Sequence, residues 1–140
     1  MTRLLGRYST YIYAILRIVV GFLFLCHGCQ ILFGFPPSPP GMPHMEMSSL
    51  MTAFFTTGGV IELVAGFLVF IGFFSSVAAF FASGQMAVTY FMFHQPNGAL
   101  PATNSGDASV LFCFIFLFVA ANGSGVWSVD SLRGKGSTTG

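Results

Sequence analysis

Between Gly58 and Phe74 the chain reads GGVIELVAGFLVFIGFF, seventeen residues that are apolar or glycine with one exception, the carboxylate Glu62. Such a run admits few folds. Hydrocarbon accepts a backbone only when its amides are bonded internally, so the run predicts a membrane-spanning helix. A carboxylate facing lipid there would cost several kcal/mol, so Glu62 must face protein or water. Gly58, Gly59, Ala65 and Gly66 lie three and four residues to either side of it and form one narrow seam on a helix. Small residues on a seam let a second helix approach closely, which directs Glu62 into a helix interface.

The rest of the chain fits that setting. Of 140 residues, 54% are hydrophobic and 6% charged, too apolar for a soluble domain, and a net charge of +1 gives no electrostatic basis for binding nucleic acid. Four apolar segments predict four helices, roughly 11–35, 50–74, 77–94 and 108–127. They make an all-α integral membrane protein, an antiparallel four-helix bundle in a single domain over residues 1–132, with a flexible tail at 133–140. Arg3, Arg7, Arg133 and Lys135 are terminal, whereas the loops Phe35–Ser49 and Gln95–Gly106 lack Lys and Arg, so both termini are expected to be cytoplasmic. Arg17 interrupts the first apolar run, and no small-residue cleavage site follows it; an uncleaved first helix is expected. The loop after it has five prolines between Pro36 and Pro43 and predicts an extended connector carrying Glu46. Ser105 is placed to cap the fourth helix and Asp107 to lie in its first turn. Only Ala108–Ala121 of that helix is cleanly apolar, so the Asn122-Gly-Ser-Gly stretch must extend or bend it, with Trp127 as an interfacial anchor.

The polar groups inside these segments are the candidate functional residues. Counted from the cytoplasmic ends, Glu62 and His27 fall roughly 18 to 22 Å along their helices, Tyr90 about 20 Å and His94 about 25 Å. That shared level predicts one pocket in the outer half of the bilayer, open outward, with Glu62, His27 and His94 as its proton-handling groups. Tyr90 and His94 are one turn apart on a stripe with Ala79, Ser83, Met86 and Ala87, and Phe54, Phe55 and Phe91 supply aromatic walls. Arg17 lies deeper, on a stripe with Gly21 and Gly28, and its stem is long enough to snorkel to the cytoplasmic headgroups. Cys26 and Cys29 have CxxC spacing but read as small apolar residues within a helix, and CHGC is not the CxxCH haem attachment sequence. No metal site and no covalently bound cofactor is expected.

Taken together, LRIVVGFLFLCHGCQILFG from Leu16, the Glu62 run, MAVTYFMFHQP from Met86, NSGDASVLFCFIFLFVA and GVWSVD make a set that resembles the DoxX family over about Leu16 to Asp130. The matching polar positions are Arg17, His27, Gly28, Glu62, His94 and Asp107. Departures are Asp107, where the family usually has Glu, Ile31 where Lys is frequent, and Ser75-Ser76 where a basic residue is common. The resemblance implies a four-helix bacterial inner-membrane protein linked to oxidoreductase systems, since the related DoxD subunit belongs to a thiosulfate:quinone oxidoreductase. On that footing the expectation is a quinone headgroup at Glu62, His27 and His94, with Arg17, Tyr90 and Asp107 as ligand-binding groups. A redox partner protein or an exogenous reductant would bring the electrons, and a homo-oligomer is compatible with the fold. The alternative reading is a non-catalytic scaffold or assembly subunit whose buried polar residues fix helix register. A transporter is disfavoured, because the four segments show no paired inverted repeat of broken helices.

Overall fold

The computed structural model describes residues 2–37 and 47–135. The expectations for most of the proline-rich loop, for Glu46 and for the end of the tail fall on 38–46 and 136–140, outside the described residues. The described residues are all helix, turn and loop, without strands. A helical lead-in, Thr2–Leu5 and Gly6–Tyr8, runs into α1, Ser9–Phe33. Next come α2, Ser49–Ile71, and α3, Ser75–Thr89, which continues as a π-helical turn Tyr90–His94 and a 3-10 turn Gln95–Asn97. α4 is Asp107–Asn122 and α5 is Val129–Lys135.

Local chemistry sets these ends. Gly34 and Gly72 stop α1 and α2 by taking the left-handed conformation, at φ 66° and 73°, and their N–H groups close the last turns. Ser48 caps α2 by accepting from the Met51 N–H at 3.3 Å. Ser105 does not cap α4; Gly106 holds that position, and Asn104 Oδ1 accepts from the Gly106 N–H at 2.9 Å instead. The reach of α4 is also shorter than the 108–127 expected. It stops at Asn122 because Gly123 turns to φ 77°, and Gly125 and Trp127 also take positive φ before α5 begins.

Three helices are long and apolar enough to cross a membrane, Gly6–Phe33, Ser49–Ile71 and Ser75–Asn97, and the apolar α4 is shorter. At about 1.5 Å per residue, the 16 residues of α4 give roughly 24 Å, less than a hydrocarbon core of about 30 Å. Exposed Ile15, Phe22, Phe67, Phe80, Phe91, Phe114 and similar side chains cover the outside. That surface belongs in a bilayer, and the molecule is a multi-pass membrane protein.

α1 packs on α2, and α3 packs on both α2 and α4. On α1, Gly21 lies against Phe70 and Gly66, and Gly28, seven residues later, lies against Leu63 and Gly59. Gly66 lies in turn against Leu25 and Gly21, so the two backbones meet with nothing between them. A Cβ at Gly21, Gly28 or Gly66 would overlap a backbone nitrogen of the facing helix. α3 joins α4 through the Ser83 hydroxyl, which donates to the Cys113 carbonyl at 2.8 Å, and its buried Ala78, Ala79 and Ala82 belong to the common core. Phe24 of α1 closes the core against Phe116 and Phe112 of α4, ring centroids 4.6 and 5.7 Å away.

Candidate functional site

Glu62 faces protein, as its seam requires: it is 5% exposed, and Gly58, Gly59, Ala65 and Gly66 are buried with it. Its partner is Gln85 of α3, whose Nε2 donates to Glu62 Oε1 at 3.0 Å. The other carboxylate oxygen, Oε2, is buried without a partner among the described residues, and so is Oε1 of Gln85. Gln85 also lines a cleft of about 480 Å³ between α2 and α3. Its walls are apolar or small: Leu50, Phe54, Gly58, Phe80, Phe81 and Gly84 are among them. Leu50, Phe80 and Phe81 are each more than 60% exposed, so the cleft opens sideways, onto the face that meets lipid. Glycine makes the space. At Gly84 a Cβ would meet nothing within 4 Å, while Gly58 has Gln85 Nε2 lying close against it.

Neither of the two expected histidine partners is hydrogen-bonded to Glu62, whose partner is Gln85. His27 does share the depth of Glu62, since the neighbouring Gly28 lies against Leu63. His27 is exposed, with its ring edge-on to Phe112 at 6.1 Å and no hydrogen bond among the described residues. His94 belongs to the loop end: Phe93 stacks beside Phe54 and Phe55, about two turns outward from Glu62. There His94 Nδ1 is 3.2 Å from the Asn104 carbonyl, and its ring lies parallel to Tyr90 at 6.4 Å. A carbonyl only accepts, so Nδ1 is the donor in this contact. The cleft lined by Gln85 has none of Glu62, His27 and His94 on its wall.

The expected ligand-binding groups serve the two ends of the molecule. The Tyr90 hydroxyl meets Asn104 Nδ2 at 3.4 Å, and its ring covers Gly106. Buried Asn104 also donates to the Gly98 carbonyl at 2.8 Å and so organises the 95–106 loop. Asp107 is exposed in the first turn of α4. Arg17 does not snorkel. It is fully buried, with NH1 donating to the carbonyls of Val69 at 2.7 Å and Phe70 at 3.1 Å, and NH2 to those of Trp127 at 2.7 Å and Val126 at 3.4 Å. The guanidinium thus covers the carbonyl end of α2, where the helix dipole favours a cation, and ties the segment before α5 to it. Close by, Asp130 Oδ2 accepts from the Phe74 N–H at 2.9 Å and from the Ser124 hydroxyl at 2.6 Å, and the Tyr13 hydroxyl donates to the Gly123 carbonyl at 2.5 Å.

Gln85, Gly84, Asn104 and Asp130 carry these arrangements without having stood out in the sequence. The signal for Gln85 was present, as an uncharged amide inside an otherwise apolar segment. Cys26, Cys29 and Cys113 are free thiols, and no group of three His, Cys, Asp or Glu side chains comes together among the described residues.

Comparison with known sequences agrees with the order of these residues. The sequence pattern of the DoxX family matches residues 12–95, which include α1 to α3, the buried Glu62 and its partner Gln85. The chain belongs to the DoxX family. An uncharacterized protein of Haemophilus influenzae is 33% identical over 130 residues, 91% of this chain and 94% of that relative, so the likeness runs on through α4. No solved structure matches. In this DoxX protein the family match ends near His94, so the Arg17 carbonyl contacts at 126 and 127 join a matched residue to a segment beyond the match.

Proposed function

We propose that this DoxX protein is a component of an oxidoreductase system in the bacterial inner membrane that binds a quinone headgroup in the α2–α3 cleft. The observation that carries the reading is an apolar, lipid-facing cleft with Gln85 on its wall, hydrogen-bonded to the buried Glu62. An isoprenoid quinone lives in the hydrocarbon and needs a lateral entrance, aromatic walls and a few polar groups for its ring. Phe54, Phe80 and Phe81 are such walls, and the Glu62–Gln85 pair supplies the polar groups. Quinone reduction takes up two protons with two electrons, and Glu62 is the titratable group nearest the cleft. The electrons must come from a redox partner protein, since the chain's own residues carry none. His94, at the loop end, is suited to exchange protons with that side of the membrane.

The same reading places α1 to α4 across the bilayer as an antiparallel bundle with cytoplasmic termini, the shorter α4 being held by its neighbours. Arg7 and Arg133 support that orientation: Arg133 stacks on Phe73 and Phe74 at the α2–α3 turn, the end where α1 also begins. A phosphatase reporter, active only outside the cytoplasm, is expected to be silent when fused at the carboxyl terminus and active when fused within the 95–106 loop; the reverse pattern would refute the orientation.

The cleft is tested by filling it. Binding of a short-chain benzoquinone to the protein in lipid nanodiscs is expected to be lost in Gly84→Leu and kept in Val19→Leu, an exposed position on α1. Unchanged binding in Gly84→Leu would remove the cleft as the site. The scaffold alternative rests on a different observation, that Arg17, Asn104 and Asp130 all serve the closure of the fold. It expects no quinone binding at all.

A further inference from the structure

We infer that the α2–α3 cleft selects its ligand by the tail as well as the ring: an isoprenoid quinone lies with its ring beside Gln85 and its tail running along a second cleft toward the α2–α3 turn. This inference rests on the reading of the cleft as a quinone site and concerns where the tail goes. The second cleft, of about 330 Å³, lies between the same two helices, and Ile61 and Phe81 line both. Thr57 and Gln85, the polar side chains on the wall of the first cleft, each stand one turn to the loop side of that junction, Thr57 before Ile61 and Gln85 after Phe81. Beyond the junction every residue on the wall is apolar. Ala65 and Ala78 are buried and form its floor, while Val64, Val77 and Phe81 stand more than half exposed along its rims.

The two clefts divide an amphiphile between them. A ring that carries oxygens takes the wider one, which has an amide on its wall, and a hydrocarbon chain takes the narrower one, which offers no polar side chain. From Gln85 to Val77 is eight residues, about 12 Å at 1.5 Å per residue, a length that a few isoprene units span. Lipid tails are as apolar as these walls, so transfer from the bilayer contributes nothing by itself. The selection comes from packing a chain that the ring already holds at the mouth of the groove. A phospholipid chain has no such tether.

The test uses a benzoquinone whose isoprenoid tail ends in a photoreactive diazirine, irradiated with the protein in lipid nanodiscs. Label is expected around Val64 and Val77, and an excess of the unmodified tailed quinone is expected to suppress it. Label near Leu50 and Val88 would mean that the tail runs the other way, and label scattered over the exposed side chains of α1 and α4 would mean that it rests in bulk lipid; either overturns the inference. Calorimetric titration gives a second reading. Referred to concentration in the bilayer, the tailed quinone is expected to bind about tenfold more tightly than a short-chain benzoquinone with the same ring, and Val64→Trp, which fills the groove from its exposed rim, is expected to bring that ratio toward one. Equal affinities in the unaltered protein, or a ratio that Val64→Trp leaves in place, would overturn the inference. The cleft reading is judged separately, by Gly84→Leu abolishing the binding of both quinones. Failure of both to bind the unaltered protein would overturn the inference and the cleft reading together.

Discussion

Glycines line both faces of α2, and the two faces use them in opposite ways. Toward α1, Gly59 and Gly66 meet Gly28 and Gly21 with backbone on backbone, and every absent Cβ is replaced by an atom of the facing helix. Toward α3, Gly58 and Gly84 leave a cleft of about 480 Å³ that is open to the side. Composition alone does not distinguish these faces. What differs is register: on the first face the glycines of both helices lie opposite each other, and on the second Gly84 stands opposite open space. The membrane supplies no hydrophobic drive to close such a gap, since lipid tails are as apolar as the side chains around it. One face therefore holds the protein together, and the other is free to hold something else.

The comparison breaks hardest at the tight face. Gly66→Leu forces a side chain into the α1 backbone, and overpacking without room to move is expected to cost more than about 3 kcal/mol. Thermal unfolding in mild detergent should show a large loss of the folded fraction; retention of wild-type stability would mean that the two helices separate easily. Arg17→Met comes next. It leaves the carbonyls of Val69 and Trp127 without their donors, with an expected loss on the order of 2 to 4 kcal/mol. Arg17→Lys should recover part of it, because an ammonium keeps the charge at the helix end but lacks the fork that reaches both segments. If Met and Lys are equally damaging, the charge at the end of α2 contributes nothing. The smallest effect is expected at the open face, where Gly84→Leu should change stability by no more than about 1 kcal/mol, since leucine favours helix and meets no obstacle. A loss as large as that of Gly66→Leu would show that the cleft is closed in the membrane.

The sequence showed faces better than partners. The burial of Glu62 was legible because small residues at three and four positions on either side of a carboxylate describe one seam wherever the neighbouring helix lies. The identity of the partner was not, because Gln85 meets Glu62 only through the offset between α2 and α3, which the turn at Gly72 to Phe74 sets and periodicity does not encode. His27 has the expected depth but packs its ring edge-on to Phe112, a contact the spacing does not encode: rise along a helix is fixed per residue, whereas the angle about it depends on which stripe packs. Gly28, with its neighbour across the seam, decides that angle. Arg17 has a stem that reaches either headgroups or interior. The acceptors that draw it inward include Val126 and Trp127, beyond the bend at Gly123, where the sequence left extension and bending of the helix both open.

Arg17 and its acceptors also belong to different moments in the life of the chain. Val126 and Trp127 follow Arg17 by 109 and 110 residues, and a ribosome adds residues at about 5 to 20 per second. For roughly 5 to 20 seconds the newborn first helix therefore holds a guanidinium whose last carbonyls have not yet been made. Until then the carbonyls of Val69 and Phe70 on α2 are the earlier-made part of its acceptor set. The residue that locks the finished molecule is in this sense a clock, set by the first helix and stopped by the last turn.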